Sequence, residues 1–205
     1  MALAACGWSS GGGGGGTTTP QASAETVASN ASDFSGLSKC PESGTWDTYL
    51  KAEQTKNPSQ YATDKSDWDG LKAAGANDSY IVVYSNSSSG CGGFASDTPS
   101  GMVVYIYAIR FKDSASAADN FKTNSKTFHL SDSDLQNIQS AGGKVAQGDA
   151  TGLGTNSIAV SLSIAGTSFY IAFWQKNKFE VAMIAYNIPV ADAEAAAKKV
   201  NARIP

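Results

Sequence analysis

The chain has 205 residues, with 15 Lys and Arg against 18 Asp and Glu and a formal net charge of -3, a length that fits one domain plus a tail. Hydrophobic residues make up 41%, enough for a single core, and charged residues 16%, below the usual ~25%. No cluster of Lys and Arg is present to neutralise phosphates, which excludes nucleic acid as a partner, and no run of apolar residues is long enough to span a bilayer as a helix.

At the start, Leu3-Ala4-Ala5-Cys6 places small side chains before a cysteine, and a glycine run over residues 11–16 follows. These four residues resemble a bacterial lipobox. The resemblance implies that Cys6 is lipidated, that the protein is exported, and that the lipid anchors it to the outer side of the cell membrane. Five residues precede Cys6 and none is charged, so the expected reading is the stub of a signal peptide that starts outside this chain. Residues 7–35 are rich in Gly, Ser, Thr and Ala and carry only Glu25 and Asp33 as charges. That composition predicts a flexible tether over residues 1–35 and a single globular domain over 36–205. Gly7-Trp8-Ser9-Ser10-Gly11 has the spacing of a nucleophile elbow, but it opens a glycine linker and lacks the preceding strand that such a serine needs.

Trp46, Tyr49 and Leu50 fall at i, i+3, i+4 and predict a helix over 42–56, ended before Pro58. Ser66 is the expected N-cap of a second short helix that carries Trp68 and Leu71 to Gly75. Residues 79–86 predict a strand. Residues 101–111, apolar on both alternating faces, predict a central strand covered on both sides. Asp113 or Ser114 caps a helix to about residue 127 with Ala117, Ala118 and Phe121 inward. Ser131 caps another that holds Leu135 and Ile138. A metal reading would group His129, Asp132 and Asp134; a capped helix beside a solvated histidine accounts for the same residues, and no metal or other cofactor is expected.

Three strands then form a meander over 156–164, 169–175 and 179–186, with turns at Ala165-Gly166 and Lys176-Asn177. A last helix over 191–204 buries Ala193, Ala196, Ala197, Val200 and Ile204. Shifting the chain by 79 residues aligns Asp113 with Asp192, Tyr107 with Tyr186 and Ala117-Ala118 with Ala196-Ala197, a possible strand-strand-helix repeat. The expected fold is α+β, a mostly antiparallel sheet of about five strands with the 114–127 and 191–204 helices on one face. This order of elements, with the Ala150-Thr151-Gly152-Leu153-Gly154 turn before the meander, resembles small extracytoplasmic lipoprotein and sensor domains of Gram-positive-type bacteria. The resemblance implies binding or sensing in the cell envelope, without a defined activity.

With Cys6 lipidated, Cys40 and Cys91 remain, both in turn-like settings. They read as a disulfide, which agrees with export; two free thiols are the alternative. One histidine and no recognisable acid pair argue against an enzyme. The candidate ligand face joins Tyr105, Tyr107, Tyr170, Trp174 and Tyr186 with the small Ser161 and Ser163, suited to an apolar or glycan ligand. Coverage of that face by Trp46, Tyr49 and Trp68 is the competing expectation, and an assembly role through contact with another envelope protein is the alternative function.

Overall fold

The computed structural model describes residues 22–56, 58–91, 101–124, 132–164 and 166–205. Its elements in chain order are α1 (Ala24–Ala28), β1 (Ser38–Lys39), α2 (Trp46–Lys56), α3 (Pro58–Ala73), β2 (Ala76–Ser85), α4 (Ser88–Cys91), β3 (Val103–Phe111), α5 (Ser114–Asn124), α6 (Asp132–Ser140), β4 (Lys144–Gln147), β5 (Ser157–Ile164), β6 (Thr167–Lys176), β7 (Phe179–Tyr186) and α7 (Val190–Ala202). The strands form one sheet in the order β1-β2-β3-β7-β6-β5-β4, every neighbouring pair antiparallel. The fold is α+β as expected, with seven strands rather than five. The two extra strands, β1 and β4, are edge strands of two and four residues, too short to show the alternation that marks a strand in sequence.

The register sorts the side chains onto two faces, because partners across an antiparallel pair point the same way. One face carries Val82, Val104, Ile106, Met183, Val181, Ala172, Trp174 and Tyr170. These join α7 and α1 in a single buried cluster with Ala193, Ala196, Ala197 and Val200. Alanines on the inner stripe of α7 let its backbone settle close to the sheet, so the interior fills at the density of a folded core. The other face carries Val83, Tyr105, Tyr107, Ile109, Glu180, Ala182, Ile184, Ile171 and Phe173. Helices α2, α3 and α5 pack on it, and its buried residues form two separate clusters.

Four expectations change. Helices α5 and α7 lie on opposite faces, not together. Phe121 of α5 stacks on Phe173 at 4.8 Å, while α7 covers the face of Trp174. The 79-residue repeat fails for the same reason: the strand order β2-β3-β7-β6 has the mirror arrangement a repeat requires, but the two helices sit on different sides. Ser66 lies inside one continuous helix, α3, which starts at Pro58, a residue whose fixed φ suits a first helical position.

The tether boundary also moves. Ala24, Val27 and Ala28 are fully buried in α1, whose start is capped by the Ser23 side chain. Long-range bonds hold the segment: Ala24 N–H donates to Asp78 at 2.8 Å, Arg203 Nε to the Val27 carbonyl at 2.9 Å, and Arg203 to the Asp33 carboxylate at 2.7 Å. Small residues that read as linker are here the ones that allow close approach to the sheet. The lipobox with Cys6, most of the glycine-rich stretch and His129 lie outside the described residues.

Cys40 and Cys91 are bonded, with Cα atoms 5.4 Å apart. The bridge ties the end of β1 to α4 over the face that carries Val83, Val103 and Tyr105.

Candidate ligand-binding groove

The central row of the open face runs Ile81–Tyr107–Ala182–Phe173–Ile158 across β2, β3, β7, β6 and β5. Ala182 is its only small member. With strands ~4.8 Å apart, the rings of Tyr107 and Phe173 rise on either side of a gap over Ala182. In the next row Glu180 stands between Ile109 and Gln175, and in the row beyond, Ile184 stands between Tyr105 and Ile171.

Two helices fail to close over this gap. Helix α3 sits toward β2 and is fixed by Trp68, whose Nε1 donates to Asp47 at 3.0 Å and whose ring stacks on Trp46 at 5.4 Å. Helix α5 sits toward β6 and β7, fixed by the Phe121–Phe173 stack. The space between them is a groove of about 890 Å³, walled by Trp46, Leu71, Ala74, Tyr107, Ile109, Phe173, Ala182 and Ile184, with Ser66, Asp67, Ser116, Asp119, Asn120, Thr123 and Glu180 as its polar groups. Apolar walls with a few placed polar groups are the usual make-up of a small-molecule site, and the volume lies in the usual range.

Glu180 is the unusual residue. Its side chain is 2% exposed, and both its oxygens accept from Asn120 Nδ2 at 3.0 Å. Among the described residues it has no cationic partner. Burial pushes its pKa up to about 7, against a smaller opposing effect of the Asn120 hydrogen bond. A glutamine would satisfy Asn120 equally well without the cost of burying an ionisable group, and buried, shifted carboxyls of this kind cluster at functional sites. Burial likewise holds the Tyr107 phenol well above its ordinary value. Trp46 presents a buried Nε1 with no hydrogen-bond partner among the described residues.

Of the five aromatics expected to form a ligand face, the register splits the set. Tyr105, Tyr107 and Tyr186 share the open face. Tyr170 and Trp174 lie on the opposite one with Ser161 and Ser163, where Tyr170 is buried and Trp174 fully so under α7. The physical reason is parity: Tyr170 and Trp174 are an even number of residues from each other but odd from Ile171 and Phe173, and the β6–β7 pairing puts Phe173 beside Ala182. Only Tyr107 of the five lines the groove; Tyr105 and Tyr186 pack edge to face at 6.3 Å near the disulfide. The expected cover by Trp46, Tyr49 and Trp68 is present but partial. Trp46, Phe173, Asn120 and Glu180 were not singled out as ligand residues. The one sequence signal for them is Glu180, a lone carboxylate in an otherwise apolar strand.

A smaller hollow of about 390 Å³ lies beside the Gly152–Gly154 turn. Its polar groups serve one another: Asn156 donates to Gln175 at 2.6 Å, Gln175 to the Asn177 carbonyl at 2.6 Å, and Lys176 to the Ile204 carbonyl at 2.7 Å. This is a brace for the C-terminus.

No protein-family model and no curated protein sequence matches the chain. Among solved structures, the extracellular domain of PknH from Mycobacterium tuberculosis is similar with a TM-score of 0.42 and 15% identity, over 66% of this chain and 69% of that one. Likeness at that level carries no residue role across.

Proposed function

We propose that the chain is an extracytoplasmic, lipid-tethered domain that binds a small ligand with an apolar body in the groove between α3 and α5, without catalysing a reaction. The observation that carries the reading is the buried carboxyl of Glu180 at the end of an aromatic groove with Ala182 as its floor. The Cys40–Cys91 bridge supports an oxidising location, where such bonds persist, and the Leu3-Ala4-Ala5-Cys6 resemblance supports the anchor.

Two experiments test it. A neutral fluorescent apolar probe, N-phenyl-1-naphthylamine, brightens on wild-type protein and not on Ala182→Phe, whose ring fills the floor. Equal brightening on both proteins would place the probe elsewhere and remove the groove from the account. For the anchor, Cys6→Ala in the full precursor moves the protein from the membrane fraction to the soluble one; membrane retention by that variant ends the lipid claim.

The alternative, an assembly role with another envelope protein, draws on the open face beyond the groove, where Val160, Leu162 and Ile171 are half-buried and Ile164 is 50% exposed. Ile164→Lys would then abolish co-purification of a partner while leaving probe binding intact.

A further inference from the structure

We propose that the groove selects ligands that carry an ammonium group, seated between Glu180 and the Tyr107 and Phe173 rings of the adjacent row, with the apolar body extending over Ala182 toward Ile184. The proposal rests on the groove being a ligand site and names the class of ligand.

Three features converge. First, among the described residues the polar groups of the groove include three carboxyls, Asp67 and Asp119 at the exposed rim and Glu180 at the buried end, and no Lys or Arg. An anionic ligand would meet like charge at each ionisable position, the remaining polar groups Ser66, Ser116, Asn120 and Thr123 being neutral. Second, Tyr107 and Phe173 stand on either side of Ala182 in the row next to Glu180, and the π-face of Trp, Tyr or Phe attracts a cation most strongly where water is excluded. Third, a hard metal ion is poorly served: a carboxyl and one amide fall short of the six or more oxygens that calcium takes, and magnesium needs near-octahedral geometry. An ammonium with attached carbons satisfies the carboxylate and the rings together.

Among the described residues no Lys or Arg pairs with Glu180, whose hydrogen-bond partner is Asn120 on α5. Asp119 of α5 and Asp67 of α3 line the exposed part of the groove. On β3 the cross-strand neighbour of Glu180 is Ile109, and on β6 it is Gln175. Arg110 and Lys176, next along those strands, point to the other face, where Arg110 donates to the Ala22 carbonyl at 3.3 Å and Lys176 to the Ile204 carbonyl at 2.7 Å. On α3, Lys65 and Lys72 are paired with Asp69 at 2.5 and 2.8 Å.

The carboxyl that titrates near neutrality gives the proposal a readout that mere hydrophobic binding lacks. An ammonium binds the ionised form of Glu180 only, so its affinity follows the fraction ionised.

The test uses benzyltrimethylammonium, which does not titrate, and its uncharged carbon isostere neopentylbenzene. Both are followed by calorimetry and Trp fluorescence from pH 5 to 8 on wild-type, Glu180→Gln and Ala182→Phe proteins, each checked for native circular dichroism. The cation is expected to bind wild type about tenfold more tightly per pH unit up to pH 7 and at constant strength above it. On Glu180→Gln it binds at least tenfold more weakly at pH 8 and without pH dependence, while the isostere binds both proteins alike. Ala182→Phe binds neither. A cation that binds no better than the isostere at pH 8, or that keeps its pH slope on Glu180→Gln, overturns the ammonium class and leaves a neutral apolar site. Failure of both probes and of N-phenyl-1-naphthylamine overturns the groove as a ligand site altogether.

Discussion

The two faces of the sheet use the same kinds of residue and reach opposite results. On the closed face the small residues are on the helix. Ala193, Ala196 and Ala197 line α7, and the bulk of Trp174, Met183 and Ile106 is in the sheet, so helix and sheet bury one another in a single cluster. On the open face the small residue is in the sheet. Ala182 lies between Tyr107 and Phe173, and the covering helices carry Trp68, Leu71 and Phe121, whose bulk holds them to either side. A small residue under bulky neighbours makes a hollow, whereas a stripe of small residues on the covering element closes one. Where the small side chains sit, not how many there are, decides whether a layer is core or site.

The largest expected contrast is between tryptophans. Trp174→Ala removes a fully buried ring from the closed face and is expected to cost about 4 kcal/mol by urea denaturation, whereas Trp46→Ala on the half-buried wall of the open face costs about half as much. Equal losses would mean that the open face is as tightly packed as the closed one. Replacing Cys40 and Cys91 by alanine unties the end of the open face. With 51 residues separating the pair, the chain-entropy account gives a loss of about 4 kcal/mol, and thermal unfolding with and without reductant should coincide for that variant.

Glu180 supplies the third. Its folded pKa stands at about 7 against an ordinary 4.5, so the native state holds the proton more tightly than the unfolded chain. The stability this contributes is complete below pH 4.5 and is lost as the pH rises through 7, about 3 kcal/mol in all. Glu180→Gln removes the dependence. It should unfold at the same denaturant concentration as wild type at pH 4 once other groups are matched, and at a clearly higher one at pH 8. A wild-type stability that is flat over this range would show that Glu180 is already compensated.

The smallest effect is the most direct comparison of the two layers. Ala197→Leu overfills the closed face and should cost about 2 kcal/mol. Ala182→Leu enters the groove and should change stability by less than about 0.5 kcal/mol.

Much of the closed face was legible in the sequence. The α7 stripe at Ala193, Ala196, Ala197 and Val200 and the doubly apolar β3 are strong periodic signals carried by residues close together in the chain. The Cys40–Cys91 pair followed from counting. The edge strands β1 and β4 were too short to register, and α1 was hidden by an Ala and Ser composition that suits either a linker or a closely packed helix. The groove was the least legible part. Tyr107 was named, but Trp46, Asn120, Phe173 and Glu180 come from four separate elements, and only strand register and helix placement bring them together. A one-residue difference in parity along β6 moved Trp174 to the core and Phe173 to the site.

From the sequence alone, local periodicity and composition determine the α+β class, the meander, the last helix and the likeness of the N-terminal stretch to an export signal, because each depends on residues within reach of one another along the chain; the pairing of Cys40 with Cys91, 51 residues apart, rests on counting instead. The tertiary structure alone decides which face each helix covers, which strands are central, and that a buried acid bonded to Asn120 lines the groove over Ala182. Those depend on register between distant strands and on the volumes that meet across the layers, which no local pattern encodes.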